Sequence, residues 1–109
     1  MKNLQITFEN LETQNGLITV NLTGRLNEMN AIDFKKDLLK ILEDKNSNCL
    51  LDITLLSSMD IIGINAIVMA HRALEKKGKT LSIISEKEST VDRAFHLTKF
   101  DRILNLKRA

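Results

Sequence analysis

The feature that most constrains this chain is a change of hydrophobic period along it. Leu4, Ile6 and Phe8 alternate with polar residues, and so do Ile18, Val20 and Leu22, so each set shares one face of a strand. Between the two sets, Asn15-Gly16 supplies the positive-φ residues of a tight hairpin turn. From Asn30 the period lengthens. Phe34, Leu38, Ile41 and Leu42 recur at helical spacing, with Lys35, Lys36, Asp37, Lys40 and Glu43 on the opposite face. Asn30 is the expected helix cap, and Asp33 suits the first turn, where the helix dipole favours an acid.

The short, nearly continuous apolar run Cys49 to Ile53 reads as a strand buried on much of both faces. A loop is expected from Thr54 to Met59, followed by Asp60. Helical spacing resumes from Ile62 or Gly63 to Lys77, with Ile64, Ile67, Val68 and Leu74 inward and Asn65, Arg72, Glu75 and Lys76 outward. Gly78 ends it as a capping glycine. Thr80 to Ile84 makes a further strand. Ser89-Thr90-Val91-Asp92 reads as a capping box opening a third helix that would bury Val91, Ala94, Phe95 and Leu97. Ile103 to Leu106 fits either a strand or a helix. Strands separated by helices pair in parallel through right-handed crossovers, while a hairpin pairs antiparallel. The expected fold class is therefore α/β: a mixed β-sheet with an N-terminal antiparallel hairpin and helices packed on it.

At 109 residues, 43% of them apolar, the chain can close one hydrophobic core, so one domain is expected over 1–109. The 16 basic and 14 acidic residues are dispersed, which argues against a nucleic-acid partner. The longest mostly apolar stretch, Ile61 to Ala70, is too short to span a bilayer, and the alternating start is unlike a signal peptide. A cytoplasmic location is expected. His71 and His96 have no Cys, Asp or Glu at metal-ligand spacing. Cys49, at the start of its strand, is expected to be buried, where a nucleophilic thiol would need exposure and positive charge. With no phosphate-binding loop, paired catalytic carboxylates or nucleophile elbow, the chain is read as non-catalytic and without a cofactor.

Three stretches, in order, carry a family resemblance. Leu22-Thr23-Gly24-Arg25-Leu26-Asn27 resembles the strand-to-helix passage of STAS domains. Leu51-Asp52-Ile53 followed by Met59-Asp60-Ile61-Ile62-Gly63-Ile64 resembles their strand, loop and hallmark Asp-Ser-Ser-Gly-Leu. Ala94 to Leu104 is similar to the family's ending. The resemblance implies the STAS fold and the role of a bacterial anti-sigma-factor antagonist. In that role the unmodified protein binds a kinase that is also the anti-sigma factor, and phosphorylation of the serine after the hallmark aspartate ends the contact. Here that position is Ile61, which has no hydroxyl, and Ile62 replaces the second serine. Asn27 stands where the family usually has an aspartate.

The expected partner surface comprises Asp60, Ile61, Ile62, Gly63, Ile64 and Asn65, with the neighbouring loop Asn27 to Asn30. Several of these residues have a plainer reading as well. Asp60 can serve as a helix cap, a partner contact or both. Gly63 can simply permit a tight helix entrance, and Ile61 and Ile62 can be core residues, at least one of them facing inward. Ser57 and Ser58 are the alternative phosphoacceptors. Two other functions share parts of this reading: a STAS subunit of a transporter or signalling scaffold, and a small enzyme using Cys49, for which Cys49→Ser would abolish activity.

Overall fold

The structure is a computed structural model that describes residues 4–14 and 16–108. Its elements are β1 (Leu4–Gln14), β2 (Leu17–Leu26), α1 (Ala31–Lys45), β3 (Asn48–Met59), α2 (Ile61–Lys76), β4 (Leu81–Ser85), α3 (Thr90–Thr98), a 3-10 turn (Phe100–Arg102) and β5 (Asn105–Arg108). The strands form one sheet in the order β1-β2-β3-β4-β5. The four strands β2 to β5, which the helices separate, are parallel at every pairing. Antiparallel pairing is confined to the edge, where β1 lies against β2 with Leu4 opposite Gly24 and Glu9 opposite Thr19. The mixed sheet expected from the sequence is thus parallel throughout the part that carries the helices. Asn15, half of the expected turn, and the side chains of Leu4, Ile6 and Phe8 lie outside the described residues; Gly16 has φ +71°.

Each parallel strand is added on the same side of the one before it, so right-handed crossovers put α1, α2 and α3 on one face of the sheet. That face holds the core. Ile18, Cys49 and Leu81 face one another across three strands, as do Val20, Leu51 and Ile83. Phe34 and Leu38 of α1, Ile64 and Ile67 of α2 and Phe95 of α3 complete the same buried cluster. On the alternate positions, Thr19, Leu50 and Ser82 are only half-buried, and so are Asn21, Asp52 and Ile84. The β3 segment Cys49 to Ile53 is therefore buried on one face, not on both as its composition suggests.

The expected loop from Thr54 to Met59 is strand. β3 runs on to Met59 because it pairs with the end of β2, Thr23 opposite Leu55 and Leu26 opposite Met59. Two register shifts each give β3 one more residue than β2. They move the buried position from Ile53 to Leu56 and break the alternation that would have revealed the strand. At the far end of α2, Gly78 has φ +72°; its N–H reaches the Glu75 carbonyl at 3.0 Å and the Lys79 N–H reaches Leu74 at 2.9 Å. This is the double bond pattern of a glycine C-cap. In α3, Ser89 Oγ accepts from the Asp92 N–H at 3.1 Å, while Asp92 turns to the Glu88 N–H and to Ser85 Oγ. Val91 and Phe95 are buried, Ala94 is half-buried, and Leu97 is exposed, a helix position that faces away from the sheet. The C-terminal segment resolves as the 3-10 turn and β5.

Candidate functional site

β2 and β3 are parallel neighbours, so their carboxyl ends, Leu26 and Met59, meet at one edge of the sheet. The loop into α1 and the start of α2 leave from that edge, the place where folds of this kind present functional groups. Asp60 ties the two segments together. Its Oδ1 accepts from the Gly63 N–H at 2.8 Å, capping α2, and its Oδ2 accepts from the Glu28 N–H at 3.0 Å across to the other loop. The Asp60 N–H donates to the Leu26 carbonyl at 3.2 Å. One carboxylate thus fixes both halves of the site.

Asn27 and Asn30 brace the loop from within. Asn27 Oδ1 accepts from the Met29 N–H at 2.9 Å, and its carbonyl accepts from the Ala31 N–H at 2.8 Å. Asn30 makes no side-chain cap to α1, contrary to expectation. Its carboxamide turns back, accepting from the Asn27 N–H at 3.0 Å and donating to the Arg25 carbonyl at 2.8 Å. Asn30 is buried by this bonding and supports the surface from below.

The expected partner residues therefore divide by exposure. Ile64 belongs to the core, and Gly63 is buried. A Cβ on Gly63 would sit 2.7 Å from the Leu26 carbonyl oxygen and 2.9 Å from Leu26 Cγ, so the glycine is what lets α2 start this close to β2. Because Gly63 and Ile64 take the inward side of the first turn, both Ile61 and Ile62 point outward, 49% and 41% exposed, and neither is a core residue. Asn65 is also exposed. Ser57 donates to the Gly24 carbonyl at 2.9 Å, and Ser58 is half-buried at the end of β3.

Within the expected Asn27 to Asn30 loop one residue is not singled out by the sequence, and one neighbour of the site lies outside the expectation. Met29 is 75% exposed on the loop that Asp60 holds, and Ile32 is 61% exposed and lines a groove together with Ile62. A signal for Ile32 was present, since it lies off the Phe34, Leu38, Leu42 stripe; nothing in the sequence around Met29 marked its exposure.

Cys49 lies at the other end of β3, fully buried, and burial pushes its thiol up to about 12. His71 sits 3.8 Å from Glu75, and His96 lies 3.3 Å from Asp101. Among the described residues no three His, Cys, Asp or Glu side chains are grouped to hold a metal, and no helix is long and apolar enough to cross a membrane.

Comparison with solved structures places this architecture among known ones. The chain superimposes on an anti-sigma factor antagonist from Mycobacterium paratuberculosis with a TM-score of 0.81 at 16% identity, covering 97% of this chain and 86% of that one. For the anti-sigma factor antagonist SpoIIAA in its unphosphorylated form the TM-score is 0.78 at 15% identity, covering 96% and 88%. The structure of SLC26A9 matches with a TM-score of 0.66 at 14% identity, over 99% of this chain and 23% of that one. At these identities the likeness is one of fold. No curated protein sequence matches the chain. The sequence model of the STAS domain matches residues 9–109, and the chain belongs to the STAS domain family.

Proposed function

We infer that this chain is an anti-sigma-factor antagonist-like docking module that binds a kinase-type anti-sigma factor through the start of α2 and the Asn27 to Asn30 loop. The observation that carries the reading is the outward placement of Ile61 and Ile62 beside Asp60, at the position where the family's phosphoacceptor serine is expected. Ile61, Ile62 and Met29 supply apolar area that is desolvated on contact, while Asp60, Asn27 and Asn30 hold the two segments in place. Pre-ordered backbone at the contact reduces the ordering cost of association.

The expected switch is altered by the same residue. A phosphoserine would bring a charge of about −1.5 to −2 into a surface that must lose water against its partner, and binding would fail. Ile61 has no hydroxyl, so the contact at this position stays on. The module acts by binding, without chemistry of its own, a reading supported by the burial of Cys49 and its raised thiol pKa. It works in the cytoplasm, where its partner would be.

A displacement experiment tests this. The chain is added to a complex of sigma factor and kinase-type anti-sigma factor from the same organism, and free sigma factor is measured by size exclusion. Wild type is expected to release it, whereas Ile61→Glu and Asp60→Arg are not. Release that is unchanged in both variants would place the contact elsewhere.

A further inference from the structure

Along the outer side of α1 and α2 runs a groove that neither the core nor the α2 entrance accounts for. Its apolar points are Ile32, Ile62 and Met69, and Met69 is 53% exposed in the middle of α2. Its floor is set back by small residues, Ala31, Ala66 and Ala73. Its charges are all of one sign: Lys35, Arg72, Lys76 and Lys77 line it, with no acidic residue. The Lys35 ammonium lies across the groove, 3.8 Å from Met69 Sδ. None of the four cations forms an ion pair with a carboxylate among the described residues.

Ile62, Met69 and Lys76 follow one another at seven-residue spacing, so the stripe extends about 21 Å along α2 at about 1.5 Å per residue. That length suits about four turns of a second helix, whose apolar side chains at i, i+3, i+4 and i+7 would enter over the alanines. Four cations beside an apolar floor complement Asp and Glu on the flanks of such a helix. A lipid bilayer is a poorer match, because it receives a convex apolar face and this surface is concave. We propose that the α1/α2 groove is a docking site for an acidic amphipathic helix of a partner protein. The groove shares Ile62 and Asn65 with the surface assigned to the anti-sigma factor, but its cations and Met69 lie outside that surface, and it stands without that assignment.

The probe is a fluorescein-labelled model peptide of about four helical turns, with Leu on one face and Glu on both flanks, compared with a twin carrying Lys in place of Glu. Each is titrated with the full chain at low salt and followed by anisotropy, and amide shifts of the chain map the contact. The Glu peptide is expected to bind about tenfold or more tighter than its twin, shifting Lys35, Met69 and Arg72. Met69→Glu and Lys35→Glu, each verified as folded by circular dichroism, are expected to weaken it by a similar factor. Ile61→Glu is expected to bind it as wild type does, which separates this groove from the α2 entrance. Equal binding of the two peptides, shifts mapping outside the groove, or unchanged binding in both charge variants would overturn the proposal. So would sedimentation of the chain with phosphatidylglycerol vesicles, lost in Met69→Glu, together with no peptide binding.

Discussion

At Gly63 the fold and the site depend on a missing methyl group. An added Cβ meets backbone and side chain of Leu26 closer than ordinary contact allows, and a backbone carbonyl cannot swing away as a flexible side chain would. Gly63→Ala is expected to destabilise the protein by about 1–3 kcal/mol, read from the urea midpoint, because α2 must back away from β2. Cys49 gives a second prediction at this scale. Burial favours the neutral thiol, raising its pKa from 9.0 to about 12, so the folded state holds a proton that the unfolded chain releases at lower pH. Its contribution to stability is complete below pH 9.0 and is lost as pH rises towards about 12. The thiol is expected to resist alkylation in native buffer and to react fully in denaturant; rapid native labelling would contradict its burial. The sequence suggested both features, but only in outline. An apolar run argues for a buried cysteine, whereas the close approach that requires Gly63 comes from a strand that lies more than thirty residues earlier in the chain.

Among the elements, α2 was the most legible. Its cap at Asp60, its inward stripe and its glycine ending are all local signals. Because Asp60 also holds the Glu28 N–H, Asp60→Ala is expected to cost more than a simple cap. The loss should be about 2 kcal/mol or somewhat more, with Asp60→Asn retaining most of the stability since asparagine caps nearly as well. Thermal unfolding of the two variants checks this. The end of β3 was illegible because its two register shifts break the alternation at Leu55-Leu56, leaving a sequence that resembles a loop. Asn30 misled for a related reason. A cap residue type stands at the right place, but its carboxamide is used by Asn27 and Arg25. Leu97 reads as apolar and therefore inward, although it is exposed on the side of α3 away from the sheet.

For the whole molecule, the order of strands and helices was readable because period, length and punctuation agree along the chain. Parallel pairing of the helix-separated strands was expected from their spacing; what periodicity could not supply was the order of the strands in space, which puts all three helices on one face. That ordering brings the ends of β2 and β3 together and builds the face at the start of α2 that is proposed as the contact. Exposure of Ile61 and Ile62 is likewise a property of the assembled fold: Gly63 and Ile64 claim the inward side of the turn. The central claim is that this face engages a kinase-type anti-sigma factor and, with Ile61 at the phosphoacceptor position, has no hydroxyl there with which that kinase could release it. Calorimetric titration of the purified factor with the chain, before and after incubation of the two with ATP, tests it most directly, with the chain's mass recorded at the end. The account predicts the same affinity in both titrations and an unchanged mass. A phosphate adduct on the chain accompanied by loss of binding, or no complex in either titration, would contradict it.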